Sequence, residues 1–253
     1  MFTKKLLAVA LLTGMSQGAF AEEKKEDDKN WQAKVQLGAI FTSGNTETTS
    51  IIGKGEFKHE NETFINKLEL GGWYKEDEVE NDDGEKEKQK TGQKFTISGQ
   101  TDYKFETEGT SLFVHASHTN DKFGAIYKHY SLSAGYSQFI FKEETTFLKV
   151  DIGPGYVWGE EQDGTEIDSG MIRGAADYEW KINDYVTFTQ ELSVEHSFEA
   201  EKNTRTHSVT GLSSKVGDSL QVKLAVAVTN NTEVPEDTEE TDVSTLITLV
   251  YDF

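Results

Sequence analysis

The chain has 253 residues, no cysteine, 45 acids against 25 Lys and Arg, and a formal charge of −20. Such an acidic surface repels phosphate backbones, which excludes nucleic acid as a partner, and the missing thiols exclude disulfides and thiolate metal sites. The mean hydropathy of −0.59 leaves no run long and apolar enough for a transmembrane helix, which needs about 20 residues.

The first residues read as an address. Lys4 and Lys5 precede an apolar stretch from Leu6 to Met15, and Ala19-Phe20-Ala21 has the small-x-small form of a cleavage site. Residues 1–21 are therefore expected to be a signal peptide, and residues 22–30 a short acidic segment on the periplasmic side. Losing two lysines and no acid with the leader would move the charge from −20 to −22.

From Trp31 onward the period is two. In the first segment Trp31, Ala33, Val35, Leu37, Ala39 and Phe41 share one face, and Gln32, Lys34 and Gln36 the other. That alternation marks a strand and excludes an amphipathic helix. Ser43-Gly44-Asn45 reads as a turn. Ile51, Gly53, Gly55 and Phe57 then line a second segment, and Phe64, Leu68, Leu70 and Tyr74 a third. Phe95, Ile97, Tyr103 and Phe105 line a fourth; Leu112, Val114 and Ala116 mark a shorter fifth; Ile126 to Ile140 carry a sixth. Leu148 to Trp158, Ile172 to Trp180 and Val186 to Phe198 carry the next three, residues 204–216 a weak tenth, Leu220 to Val228 an eleventh and Val243 to Phe253 the last.

About twelve strands result, each near the length that crosses a bilayer at a tilt. The connections alternate. Glu60-Asn61-Glu62, Glu106 to Thr110, Lys142 to Glu144, Asn183-Asp184 and Gly217-Asp218 are short, whereas residues 75–90, with eight acids and four lysines, 159–168, with five acids, and 231–242, with six, read as longer loops. Short turns on one side and long loops on the other fit an all-β, transmembrane up-and-down antiparallel β-barrel over residues 31–253. Trp31, Tyr74, Trp158, Trp180 and Tyr251 fall near segment ends, where an interfacial aromatic girdle would sit. A soluble sandwich or lipocalin-like barrel would alternate too, but has no need of that girdle.

The sequence stops at Leu249-Val250-Tyr251-Asp252-Phe253. Tyr251 and Phe253 resemble the signal read by outer-membrane assembly machinery, an unpaired strand offered for augmentation after periplasmic chaperones release it. With Trp31 to Phe41 leading into Ser43-Gly44-Asn45-Thr46-Glu47-Thr48-Thr49-Ser50 and the closing Val250-Tyr251-Asp252-Phe253, the chain resembles the YdiY-like family of salt-induced outer-membrane proteins, a family of unknown function. The resemblance covers nearly all of the chain beyond the leader. It implies an outer-membrane barrel of a Gram-negative bacterium and no reaction or cofactor.

Candidate chemistry is sparse. His129-Tyr130-Ser131 and His115-Ala116-Ser117 have the His-x-Ser spacing that puts base and hydroxyl on one face, as in outer-membrane phospholipase and lipid A deacylase. Tyr130, Leu132, Ala134 and Tyr136 claim the lipid face, however, and turn His129 and Ser131 away from any lipid substrate. No acid stands out in the sequence as a partner for that histidine. The six histidines form no metal-ligand spacing. The acidic loops could hold divalent cations, or bridge them to lipopolysaccharide phosphates, though a solvated rim explains them as well.

Alternation assigns Lys54, Glu56, Lys58, Lys67, Glu69, Lys94, Asp102, Lys149, Asp151, Arg173, Asp177, Glu179, Glu191, Glu195, Arg205, Lys223 and Asp252 to the interior. An isolated buried charge is very costly, so these must be wet or paired. The expectation is a non-enzymatic barrel with a narrow or plugged lumen, acting as a channel for small solutes and ions or as a structural part of the envelope. A lipid-modifying enzyme and a loop-mediated binder of cations or partners are the alternatives.

Overall fold

The computed structural model describes residues 30–42, 48–80, 86–198, 203–235 and 238–253. The expected signal peptide, all of the acidic segment but Asn30, and the Ser43-Gly44-Asn45 turn lie outside them. Twelve antiparallel strands form one closed barrel: β1 (Trp31–Thr42), β2 (Thr48–Glu60), β3 (Phe64–Glu80), β4 (Lys86–Lys104), β5 (Thr110–Asp121), β6 (Ile126–Lys142), β7 (Thr146–Glu161), β8 (Glu166–Lys181), β9 (Val186–Ser197), β10 (Thr204–Lys215), β11 (Leu220–Asn231) and β12 (Thr241–Asp252). Each strand pairs with its sequence neighbours, and β12 returns to β1. The fold is a transmembrane up-and-down barrel. Most of its large apolar side chains point outward, and every strand contributes some, from Val35 and Leu37 to Ile247 and Leu249. A soluble barrel would bury that set.

Short turns are closed by side chains that mimic backbone. Asn61 Oδ1 accepts from the amides of Thr63 and Phe64, and Asn183 Oδ1 from those of Tyr185 and Val186. At the opposite end Gly164 takes φ +89°, which the β7–β8 turn needs and a side chain would oppose. Gly135 and Gly153 serve differently: a Cβ on either would run into the backbone of the other's strand, so β6 and β7 approach closely there only because both are glycine.

Residues 75–80 and 86–90 differ from the expected long loop: β3 and β4 stay paired as far as Glu80 and Lys86. Lys75 Nζ lies 2.7 Å from Asp77, and Lys86 Nζ 2.7 Å from Glu78. Beyond the lipid both faces of a hairpin meet water, so charged residues extend the ladder without an apolar side. The turns after β7 and β11 shorten likewise, since β8 starts at Glu166 and β12 at Thr241.

The seam differs from the other ladders. The β1–β12 register runs only from Lys34–Asp252 to Leu37–Leu249, whereas β1–β2 is paired along the whole of β1. Backbone amides at this seam are expected to exchange with deuterium before those of the β6–β7 ladder, in the full chain held in detergent. Equal protection of the two ladders would contradict that order.

Candidate functional site

The inner surface is where chemistry can occur, and strand pairing fixes who lines it. Every lumen charge anticipated from alternation sits on the register that points inward, because Lys54, Glu56 and Lys58 pair across from Gly71, Glu69 and Lys67, and the same parity runs round to Lys223 and Asp252. The charges form three groups.

The middle group is the largest. Lys54 Nζ lies 2.8 Å from Glu56, 3.3 Å from Glu69 and 3.9 Å from Glu191, and Lys67 Nζ is 3.1 Å from Glu69. Gln36 Nε2 donates to Glu56 at 3.1 Å. Strands β2 and β9 are five steps apart one way round the barrel and seven the other. The Lys54–Glu191 pair is therefore a chord across the lumen. The side chains of Lys54 and Glu191 still keep 30% and 32% exposure, so water reaches the chord from within.

A second chord lies near the short turns. Lys149 Nζ on β7 sits 2.9 Å from Asp102 on β4 and 3.5 Å from Asp151. Gln100 Nε2 crosses the same gap to Asp151 at 2.9 Å, and Ser137 donates to that carboxylate as well. This chord is dry: the side chains of Lys149 and Asp102 are 12% and 3% exposed. Phe113 and Met171, both fully buried, belong to the same wall.

The third group lies toward the long-loop end. His129 Nε2 on β6 is 3.2 Å from Glu195 on β9. Arg173 and Arg205 flank Glu195 as its register partners on β8 and β10, and Arg205 Nη1 donates to Asn231 at 3.4 Å. Glu195 is the acidic partner for His129 that the sequence did not reveal. The proposed base and hydroxyl nevertheless remain apart in function, since Ser131 Oγ shares its hydrogen bond with Ser117 Oγ at 2.8 Å. Both His129 and Ser131 are buried on the inner face, while the outward neighbours Tyr130 and Leu132 meet the membrane.

Five of the anticipated lumen charges, Arg173, Asp177, Glu179, Arg205 and Lys223, make no ion pair within 4 Å among the described residues. Alternation puts Gln36 on the polar face, but nothing in the sequence marks it, Gln100 or Ser137 as the neutral partner of a particular carboxylate. Phe113 did carry a signal, because it is a large apolar residue at an inward position between Leu112 and Val114. Trp73 also faces inward, with Nε1 donating to Ser50 at 2.9 Å.

On the outside, aromatic residues form two rows. Near the short turns Trp31 stacks on Phe57, Phe64 meets Tyr103, and Tyr178 meets Phe188 across strands. Trp180 and the Tyr251–Phe253 pair lie at the same end, and the Phe253 amide donates to Ala33 O at 3.0 Å. Toward the long loops His118, Tyr130 and Trp158 stack over three adjacent strands. Tyr74 lies six residues inside the end of β3, because the strand runs on past it, and its hydroxyl bonds Glu76. Among the described residues no group of three or more His, Asp or Glu is placed to hold a metal ion.

Comparison with known proteins places this geometry. The family described as a protein of unknown function, DUF481, matches residues 35–253. The uncharacterized protein YdiY of Escherichia coli K12 is 25% identical over 224 residues, covering 88% of this chain and 83% of YdiY. Among solved structures the NanC porin superposes with a TM-score of 0.51 at 9% identity, covering 87% of this chain and 98% of NanC. An outer membrane channel from Pseudomonas putida F1 gives 0.48 at 10% identity, over 92% of this chain and all of the other. The translocator domain of the autotransporter NalP from Neisseria meningitidis gives 0.47 at 10% identity, over 88% of each chain.

Proposed function

The chain belongs to the DUF481 family of proteins of unknown function, and from that premise we propose that it is a narrow ion-conducting barrel of the Gram-negative outer membrane, exported with a cleaved leader. The observation that carries the reading is the half-wet chord. Lys54 and Glu191 meet across the lumen and still keep about a third of their side-chain surface in contact with solvent. A fully plugged barrel would dry this chord as the wall dries Lys149 and Asp102, and a general porin of 16–18 strands would leave its charges too far apart to meet. Twelve strands give an intermediate bore, which the chord narrows further. That the NanC barrel is a porin accords with this reading.

In this reading lipid and lipopolysaccharide wet the apolar belt, and Tyr251 and Phe253 are the strand that assembly machinery engages. Acidic residues at the long-loop rim raise the local concentration of cations, so the pore favours cations over anions. The Ser131 hydroxyl, turned inward and bonded to Ser117, supports no lipid hydrolysis.

Planar bilayers test the proposal. The full chain is expected to give small, ohmic, cation-selective steps, and Lys54→Ala to raise the step size about two-fold by removing the chord. Silence of both proteins at every salt concentration would reject conduction and leave a structural envelope role.

A further inference from the structure

Three buried polar atoms on one stretch of the inner wall have no hydrogen-bond partner among the described residues: Arg173 Nη1, Ser133 Oγ and His115 Nδ1. Register brings them together. His115 on β5 faces Ser133 on β6, Ser133 faces Gly155 on β7, and Arg173 on β8 faces Gly153 on β7. The two glycines leave β7 without a side chain between Ser133 and Arg173. Arg173 also lies close enough for its charge to act on the His115 ring.

Arg173 is the physical problem. It is 7% exposed and has no carboxylate within salt-bridge distance among the described residues. A guanidinium cannot shed its proton to escape burial, and a dry wall strongly disfavours an unpaired charge. The three carboxylates that act on the same histidine are engaged elsewhere: Glu195 with His129 at 3.2 Å, Asp151 with Ser137, Gln100 and Lys149, and Glu69 with Lys54 and Lys67. The unsatisfied set is rich in donors. Arg173 only donates, the serine hydroxyl can rotate to donate, and His115 donates from Nδ1 in one of its two neutral tautomers. Phe113 and Met171 are fully buried on the same wall and leave no room for a large solute.

We propose that Arg173, Ser133 and His115 form a binding site for one small monovalent anion, a halide or a compact carboxylate, set in the β5–β8 wall. The site supplies a second counter-charge to the cluster in which Arg173 and Arg205 share the single carboxylate of Glu195 as register partners. It does not depend on conduction, since it lies in the dry wall and not on the Lys54 chord.

The test uses chloride as the probe, with formate as competitor. Full-length protein in detergent is expected to broaden the chloride-35 resonance and to lose the excess width when formate is added. Arg173→Gln is expected to weaken chloride binding about ten-fold, the loss typical of a charged hydrogen-bond partner. Ser133→Ala should weaken it about three-fold, and Lys104→Gln, which removes a lumen lysine paired to Glu60 near the short turns, should leave it unchanged. Folding of each variant is checked by the gel shift of unheated samples. If Arg173→Gln does not form a barrel, Ser133→Ala decides. Broadening that is absent, insensitive to formate, or undiminished in these site variants overturns the proposal. A bromide anomalous peak beside Arg173 in crystals would support it, and a peak only at surface lysines would refute it.

Discussion

Lys149→Met is expected to destabilise the folded barrel by about 3–5 kcal/mol, the typical cost of removing one partner from a buried ion pair. Lys149 is the only cation within 4 Å of Asp102 and Asp151 among the described residues, and all three side chains are nearly dry. Methionine matches the length of the lysine stem and fills its space, so packing changes little. What remains is two carboxylates on facing parts of the lumen with Gln100 and Ser137 as neutral donors. Those donors cannot cancel two charges. Adding Asp102→Asn to Lys149→Met should recover much of the loss, because it removes one of the stranded charges. The measurement is reversible unfolding of the full chain in lipid vesicles by guanidinium. A single variant within about 0.5 kcal/mol of the parent would mean that water, and not Lys149, neutralises this end of the lumen.

How much of this could be read from the sequence follows from what alternation encodes. Leu220, Val222, Leu224, Val226 and Val228 have lipid on one side and the lumen on the other, so each chemical choice is forced and the strand is legible. Residues 75–80 and 86–90 lie beyond the lipid with water on both sides, nothing forces a period, and a paired ladder looks like a loop in the sequence. Facing direction was also legible for Lys54, Lys149 or Glu195, because parity alone fixes it. Partnership was not. The Lys54–Glu191, Lys149–Asp102 and His129–Glu195 chords depend on the barrel's radius and on residues far apart in the chain brought to similar heights. The neutral residues that complete these groups, Gln36, Gln100 and Ser137, look like ordinary lumen lining until the carboxylates they bond are known. The unsatisfied state of Arg173 is likewise a property of its surroundings, and no local pattern announces it.

Ile247→Arg is expected to cost about 2–4 kcal/mol, the range for a cation on the lipid face near the bilayer midplane. Ile247 sits at the middle of β12, is 62% exposed, and points outward opposite Leu224. If hydrocarbon covers it, arginine there must either shed its hydration or pull water into the membrane. Ser244 on the same strand points the other way, opposite Ala227, and is exposed to the lumen. Ser244→Arg should therefore change stability by no more than about 0.5 kcal/mol. The two variants add the same charge to the same strand three residues apart, so the difference between them reads the solvent on each face and little else. A soluble barrel with a wet exterior reverses the logic, since arginine at Ile247 would then relieve an exposed apolar residue and stabilise or do nothing. Refolding into vesicles of short-chain phosphatidylcholine gives both values. Equal, small effects at the two positions would show that water, and not lipid, bathes the outer wall.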